Sequence, residues 1–431
     1  MPTHRRHAAP AGLQSPVAEP VHGPGMPRRR PAFRAATAFV AGLSAVTFGC
    51  GGGDGSVGTA SPTPVREAQP DSRLVQSVNL VYEGAFRVPA GASDSSSFAY
   101  GGTNLAFNSA NQSLYMTGND VYQLTAELAI PAIRNSSDLG SLATASVLQT
   151  FRDASEGKLS GVNPSGGETK VGGYLVYDDR LIFTGYTYYD STNSQSASHF
   201  SRPLSLAQAG QVRGPFALSG APARWLAGYM AAIPAEWRAT FGGPALTGLA
   251  GVNIASAASN GPAAAVFDPA SPSAAKLLVG YPLEQTLPQQ YGTSVDNANP
   301  YWNFTSQVRG VVFPDGTRSV LFFGRHGLAA QQYGVDPMTG YKGYFAQPYA
   351  YQVWAYDAQE LLKVKDGQLQ SYAVKPYAVW NFDLPFESNN PGREIGGAAY
   401  DPASRRIYLS QIGTDGSQPV IHVLRLNAAL Q

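Results

Sequence analysis

The chain reads as an all-β protein, a β-propeller of five blades by strand count, with four strands per blade and an N-terminal outer strand closing the ring. Three observations predict this. Gly and Pro number 47 and 32 among 431 residues, about 18% against about 12% in ordinary chains, which favours short strands and many turns. One hairpin pattern recurs along the chain, and its last copy lacks a strand that stands unclaimed before the first copy.

Composition narrows the class further. With 43% hydrophobic, 11% aromatic and 14% charged residues, the chain has ample material for a core, which excludes a disordered or collagen-like protein. Lys and Arg number 30 against 29 for Asp and Glu, so there is no general field for phosphate backbones and no nucleic-acid partner is expected. A single cysteine, Cys50, excludes a disulfide framework and a multi-cysteine zinc site.

Residues 1–25 are polar and rich in Pro, His and Arg, and they precede a second methionine, Met26, where a normal export signal would begin. They read as an upstream extension from a start placed too early. Residues 26–50 have the layout of an export signal: Arg28, Arg29 and Arg30, an apolar run from Ala35 to Phe48, then small residues around Cys50. The run is about 14 residues, short of the roughly 20 that span a membrane, so cleavage is expected. Gly49-Cys50 resembles the end of a bacterial lipoprotein signal, whose cysteine is lipidated and becomes the mature N-terminus. Thr47 departs from the Leu usual in that family, which leaves a plain signal peptide open, and the arginines leave a twin-arginine signal open. Residues 51–74 read as a flexible tether and 75–431 as the propeller domain. The expected location is the cell envelope through a lipid anchor, or outside the cell.

From Val75 onward, apolar alternation recurs in short stretches bounded by Gly, Pro, Asn, Asp and Ser. The hairpin appears as YGGTNLAFNSANQSLYMTG from Tyr100, VGGYLVYDDRLIFTG from Val171, RGVVFPDGTRSVLFFG from Arg309 and IGGAAYDPASRRIYLSQ from Ile395. The glycine intervals are 71 from Gly101 to Gly172, 138 to Gly310 and 86 to Gly396. The double interval predicts a degenerate unit, with GYMAAIP from Gly228, PAAAVFDPA from Pro262 and AAKLLVGYPL from Ala274. Strands are predicted at 102–108, 113–118, 121–129 and 146–151 in the first unit, and LFFG, YQVWAYDA and YAVKPYAVWNF continue the fourth. The last unit supplies three strands, and VNLVYEGAFRV at 78–88 completes it. Extra strands hidden in 284–306 or 325–350 would make six or seven blades, and a β-sandwich array is a further alternative that does not explain the shared hairpin.

In a propeller, the blade-to-blade connections and the loops between second and third strands share one face, where ligands usually meet the fold. Residues just before the inner strands would ring the channel mouth there: Tyr100, Glu168, Lys170, Arg224, Trp225, Trp302, Asn303, Arg309, Arg393 and Glu394. Aromatic platforms with convergent polar groups suit a neutral or mildly anionic ligand such as a sugar. The competing reading makes the charged residues ordinary surface pairs and the tryptophans seals between blades. Arg325 and His326 open the longest loop, flanked by Tyr333, Tyr341, Tyr344 and Tyr349. His326 is either an anion-binding or basic group or a loop residue satisfying backbone carbonyls. A three-histidine metal site would need His199, His326 and His422 together, and His422 lies inside a strand, so no metal is predicted. Asp296, Asn297 and Asn299 form a loose oxygen cluster that offers at most a structural calcium ion; no other cofactor is expected. There is no GxSxG elbow, and no glycine loop leads into a helix to hold phosphate.

The pattern YWNFTSQVRGVVFPDGTRSVLFFGRHG, followed by YQVWAYDA, PYAVW and IGGAAYDPASRRIYLSQ, resembles an exported bacterial propeller family of unassigned activity. That resemblance implies a fold and an address and no catalytic residues. Three functions compete: a module binding carbohydrate or an envelope protein at the channel mouth, a glycoside-active enzyme of the five-bladed type, and a structural element of an envelope assembly. Hydrolysis needs two carboxylates about 5 Å apart, or 6.5–9.5 Å for inversion. Glu168, Glu394 and Asp94 are the candidates.

Overall fold

The computed structural model describes residues 73–91, 96–252 and 254–427. Antiparallel pairing there assembles five four-stranded sheets. The first comprises β2 (Gly101–Asn108), β3 (Ser113–Asn119), β4 (Thr125–Ala129) and β5 (Ser146–Arg152). The second runs β6 (Thr169–Tyr177), β7 (Arg180–Thr187), β8 (His199–Pro203) and β9 (Arg213–Phe216). The third, predicted as the degenerate unit, has β10 (Tyr229–Ala232), β11 (Ala245–Gly248), β12 (Ala264–Phe267) and β13 (Ala275–Val279).

The fourth sheet orders β14 (Gln307–Val312), β15 (Ser319–Gly327), β18 (Tyr349–Asp357) and β19 (Ala378–Phe382). Between β15 and β18 the chain makes a separate two-stranded hairpin of β16 (Gln332–Val335) and β17 (Lys342–Phe345). Segment 325–350 therefore adds a hairpin and no blade, and 284–306 holds only 3₁₀ turns among its regular elements. The fifth sheet is β20 (Ile395–Asp401), β21 (Arg406–Asp415) and β22 (Gln418–Leu426), with β1 (Leu80–Arg87) pairing β22 from Leu80↔Leu426 to Arg87↔Val420. The N-terminal strand thus covers the edge of β22 and completes the last blade, as the sequence predicts. Glu83 of β1 holds Arg406 Nε at 2.6 Å and Arg425 Nε at 2.5 Å.

The five inner strands neighbour one another in a ring, β2, β6, β10, β14, β20 and back to β2. Apolar faces of adjacent sheets pack between them. Phe183 and Phe200 of the second blade meet Tyr115 of the first, and Val312 and Leu321 of the fourth meet Ile407 and Leu409 of the fifth. The ring is tight at its axis. A Cβ on Gly310 would stand 2.3 Å from that of Ala398, and one on Gly173 would stand 2.7 Å from the Tyr229 Cα, closer than carbon atoms approach without a shift of the backbone.

The sequence shows no helical run of useful length, but two short helices form: α1 (Ala235–Phe241) between β10 and β11, and α2 (Ala358–Lys365) after β18. Asp357 caps α2 by accepting the Gln359 N–H at 2.9 Å. Leu361 and Val364 of α2 are buried in the core shared by the third and fourth blades. Tertiary packing supplies what so short a helix lacks alone.

Candidate functional site

Each inner strand begins where the second strand of its hairpin ends, as the pairs Gly101↔Asn119, Thr169↔Thr187 and Gln307↔Arg325 show. Both ends of these hairpins therefore converge on one channel mouth. A cavity of about 560 Å³ opens there. Its wall includes Tyr100, Asp120, Lys170, Tyr186, Tyr188, Gln307, Arg309, Arg325, Asn390 and Glu394, and the β16–β17 hairpin contributes Asp336, Tyr341, Lys342 and Tyr344. A smaller cavity of about 240 Å³ lies at the far ends of the inner strands, lined mainly by apolar groups such as Phe107, Val176, Met230 and Phe313.

The charges at the mouth are organised in pairs. Lys170 bonds Asp120 and lies 3.4 Å from Glu168, with its ammonium 5.0 Å from the Tyr188 ring centre. Burial works against its charged form, but Asp120 and the neighbouring Tyr186 and Glu168 outweigh that and hold the Lys170 pKa above its ordinary value. Arg325 meets Glu394 at 2.8 Å, donates to the Gly392 carbonyl at 3.0 Å and lies 4.8 Å from the Tyr349 ring centre. Asp336 accepts from the Met338 N–H, the Thr339 hydroxyl and the Gln347 amide. Burial alone would raise its pKa, and these bonds lower it on balance.

Arg309 is set deeper, half-buried in the channel. Burial opposes its charge, yet Tyr186 beside it and Glu394 and Asp120 at longer range leave its pKa raised. Tyr186 is itself buried, which raises the pKa of its phenol. Around this polar floor stand exposed aromatic faces. Tyr100 is 74% exposed and Tyr341 80%, while Tyr344 packs edge-on to Phe304 and Tyr333.

Eight of the residues singled out in the sequence, Tyr100, Lys170, Arg309, Arg325, Glu394 and the flanking Tyr341, Tyr344 and Tyr349, line this cavity. Glu168 stands beside it through Lys170, and Arg393 lines an adjoining recess with Tyr351 and Glu387. The others are placed differently. Arg224 and Trp225 both donate to the Ala257 carbonyl, at 2.5 and 3.0 Å, and the Trp225 ring is buried. Trp302 is fully buried against Trp354 at 5.4 Å, inside the core between the third and fourth blades. Asn303 is also fully buried, donating to the Gly327 carbonyl and accepting from Thr305. His326 is consumed internally, by the Ser306 hydroxyl at 2.8 Å and the Asn299 carbonyl at 2.7 Å. Asp94 and Cys50 lie outside the described residues.

His199 and His422 are buried as well, each with both ring nitrogens engaged: Ser198 and Thr247 hold His199, and Tyr82 and Gln411 hold His422. The three imidazoles belong to different sheets, and among the described residues no group of three His, Cys, Asp or Glu side chains is placed to share a metal ion. In the 296–299 loop, the Asn299 carbonyl oxygen of the side chain accepts the Tyr301 and Trp302 N–H groups, and Asp296 accepts from Gln331.

No protein-family model matches the chain, and no curated protein matches it in sequence. Solved structures do match. They include a GH43 endo-arabinanase from Bacillus licheniformis, with a TM-score of 0.38 at 10% identity over 77% of this chain and 95% of that one. A glycosyl hydrolase from Bacteroides ovatus gives 0.35 at 12% identity over 82% and 92%. A PQQ-bound aldose sugar dehydrogenase from Streptomyces coelicolor gives 0.33 at 11% identity over 78% and 99%. At these values the likeness carries no substrate, cofactor or mechanism to this chain.

Sequence reasoning missed Asp120, Tyr186 and Tyr188. The signal was available: antiparallel register returns the end of each second strand to the start of its inner strand, so residues after Gly118 and Gly185 belong to the same mouth as Tyr100 and Lys170.

Proposed function

We propose that the protein is a binding module that takes up a saccharide at this channel mouth, exported and tethered to the cell envelope through Cys50. The observation that carries the reading is the cavity itself, in which exposed tyrosine faces surround a floor of charged and amide groups. Sugars present apolar ring faces that stack on aromatics and hydroxyls that bond to such polar groups. Hydrolysis is the weaker reading. A general acid works from a carboxyl group kept protonated by its surroundings, whereas the described carboxylates here are engaged: Asp120 and Glu168 by Lys170, Glu394 by Arg325, and Asp336 by its hydrogen-bond donors.

The test is a thermal-shift titration of the protein against plant and bacterial oligosaccharides, because a ligand bound only by the folded state raises Tm. A saturable rise is expected, and Tyr341→Ala with Tyr344→Ala should weaken binding about tenfold or more, in line with about 1–3 kcal/mol for loss of aromatic contacts. These side chains are exposed, so Tm without sugar should stay near that of the parent. Unchanged affinity in the folded double variant would refute the mouth as the binding site. Product analysis of the same samples separates uptake from cleavage.

A further inference from the structure

Resting on the saccharide reading, we propose that the ligand carries a carboxylate, as a uronic acid does, and that Arg309 seats it on the floor of the mouth. Four of the five inner strands bulge near their starts. The residues left without a partner are Asn104 in the first blade, Gly172 and Gly173 in the second, Arg309 in the fourth and Gly396 in the fifth. A bulge re-aims its extra residue. In three blades that residue brings no charge, and in the fourth it places a guanidinium in the cavity wall.

The charge balance makes Arg309 distinct from its neighbours. Lys170 has Asp120 and Glu168, and Arg325 has Glu394. Lys342 is exposed at the rim, where water solvates it. Arg309 has no carboxylate within 4.0 Å among the described residues, and its near polar neighbour is the neutral Tyr186 hydroxyl. Withdrawing a cation from water without a counterion costs folding free energy. A ligand that supplies the counterion recovers that cost on binding. Lys170 has two carboxylates and Arg325 one, so the mouth as a whole holds no excess positive charge; what a ligand carboxylate meets at Arg309 is a guanidinium with no described protein carboxylate in ion-pair range. A planar guanidinium takes a carboxylate through two parallel hydrogen bonds, while the tyrosine walls are free to take the sugar ring.

The experiment is a calorimetric titration of the full chain with oligogalacturonate, oligomannuronate and oligoglucuronate, each beside its methyl ester, and with a set of neutral oligosaccharides. At least one acid should bind saturably, at least tenfold more tightly than its ester. This ratio is read on the unaltered chain and so does not depend on any variant folding. In Arg309→Gln the affinity for the acid should fall at least tenfold toward that of the ester, with Tm in the absence of sugar no lower than the parent's. Equal binding of acid and ester, binding of neutral sugars alone, or unchanged acid affinity in a folded Arg309→Gln variant would overturn the carboxylate seat and leave the saccharide reading standing. Failure of every sugar to bind would overturn the saccharide reading itself.

Discussion

Lowering the pH from 7 to 5 should remove about 6 kcal/mol of folding stability through three buried histidines, about 2 kcal/mol from each. Burial lowers the pKa of His199 from 6.5 to about 3, of His326 to about 4 and of His422 to about 3. Each ring is held neutral between two hydrogen-bond partners. In the unfolded chain the same rings take up protons near pH 6.5, so below that pH the unfolded state binds more protons and stability falls. The stabilisation is therefore complete above about pH 6.5 and is lost progressively down to the folded values. Over most of the interval from pH 6 to 5, the difference approaches three protons, a slope near 4 kcal/mol per pH unit. Glu127, Asp190 and Asp336, whose pKa values are lowered, add their losses at more acid pH. Asp315, raised chiefly by burial, acts in the opposite sense. The assay is urea unfolding at pH 7, 6, 5.5 and 5, with a His422→Gln variant beside the parent. Whatever that substitution costs at pH 7, it should reduce the slope by one proton. A parent slope below one proton between pH 6 and 5 would refute the claim that the three rings are locked neutral.

Two predictions concern packing. Trp302→Ala should lower stability by about 3–5 kcal/mol, read as a fall in urea midpoint, because the removed ring is wholly buried between two blades. A loss below 1 kcal/mol would show that Trp302 faces the mouth, as its position before an inner strand suggests. Gly310→Val should cost about 3 kcal/mol or more, since its Cβ would stand 2.3 Å from that of Ala398 and both sit in the inner ring. Gly343→Ala, with nothing within 4 Å of the added carbon, is the control and should stay within about 0.5 kcal/mol by thermal melting.

The propeller was legible because its signals are local and repeated. Alternation, turn residues and the glycines of the inner strands recur in each hairpin, and the strand at 78–88 is conspicuous through having no partner in its own unit. The third blade is fainter because its strands are only four or five residues long and α1 interrupts its first hairpin. Of the positions singled out around the starts of the inner strands, Tyr100, Lys170, Arg309 and Glu394 line the mouth, where a connection ends at the strand's own start. Trp225, Trp302 and Asn303 are instead buried, for a shared physical reason. A long connection must satisfy its own backbone and cover the blade edge beneath it, so its tryptophans and asparagine turn inward, the first two to seal apolar surface and the third to bond the Gly327 carbonyl and the Thr305 N–H. Residue type alone does not separate an aromatic that seals from one that waits for a ligand. Register does: Tyr186 and Tyr188 occupy the mouth because β7 runs back to where β6 began, and the hairpin's Tyr341 and Tyr344 do so because the fourth blade spends its longest loop there.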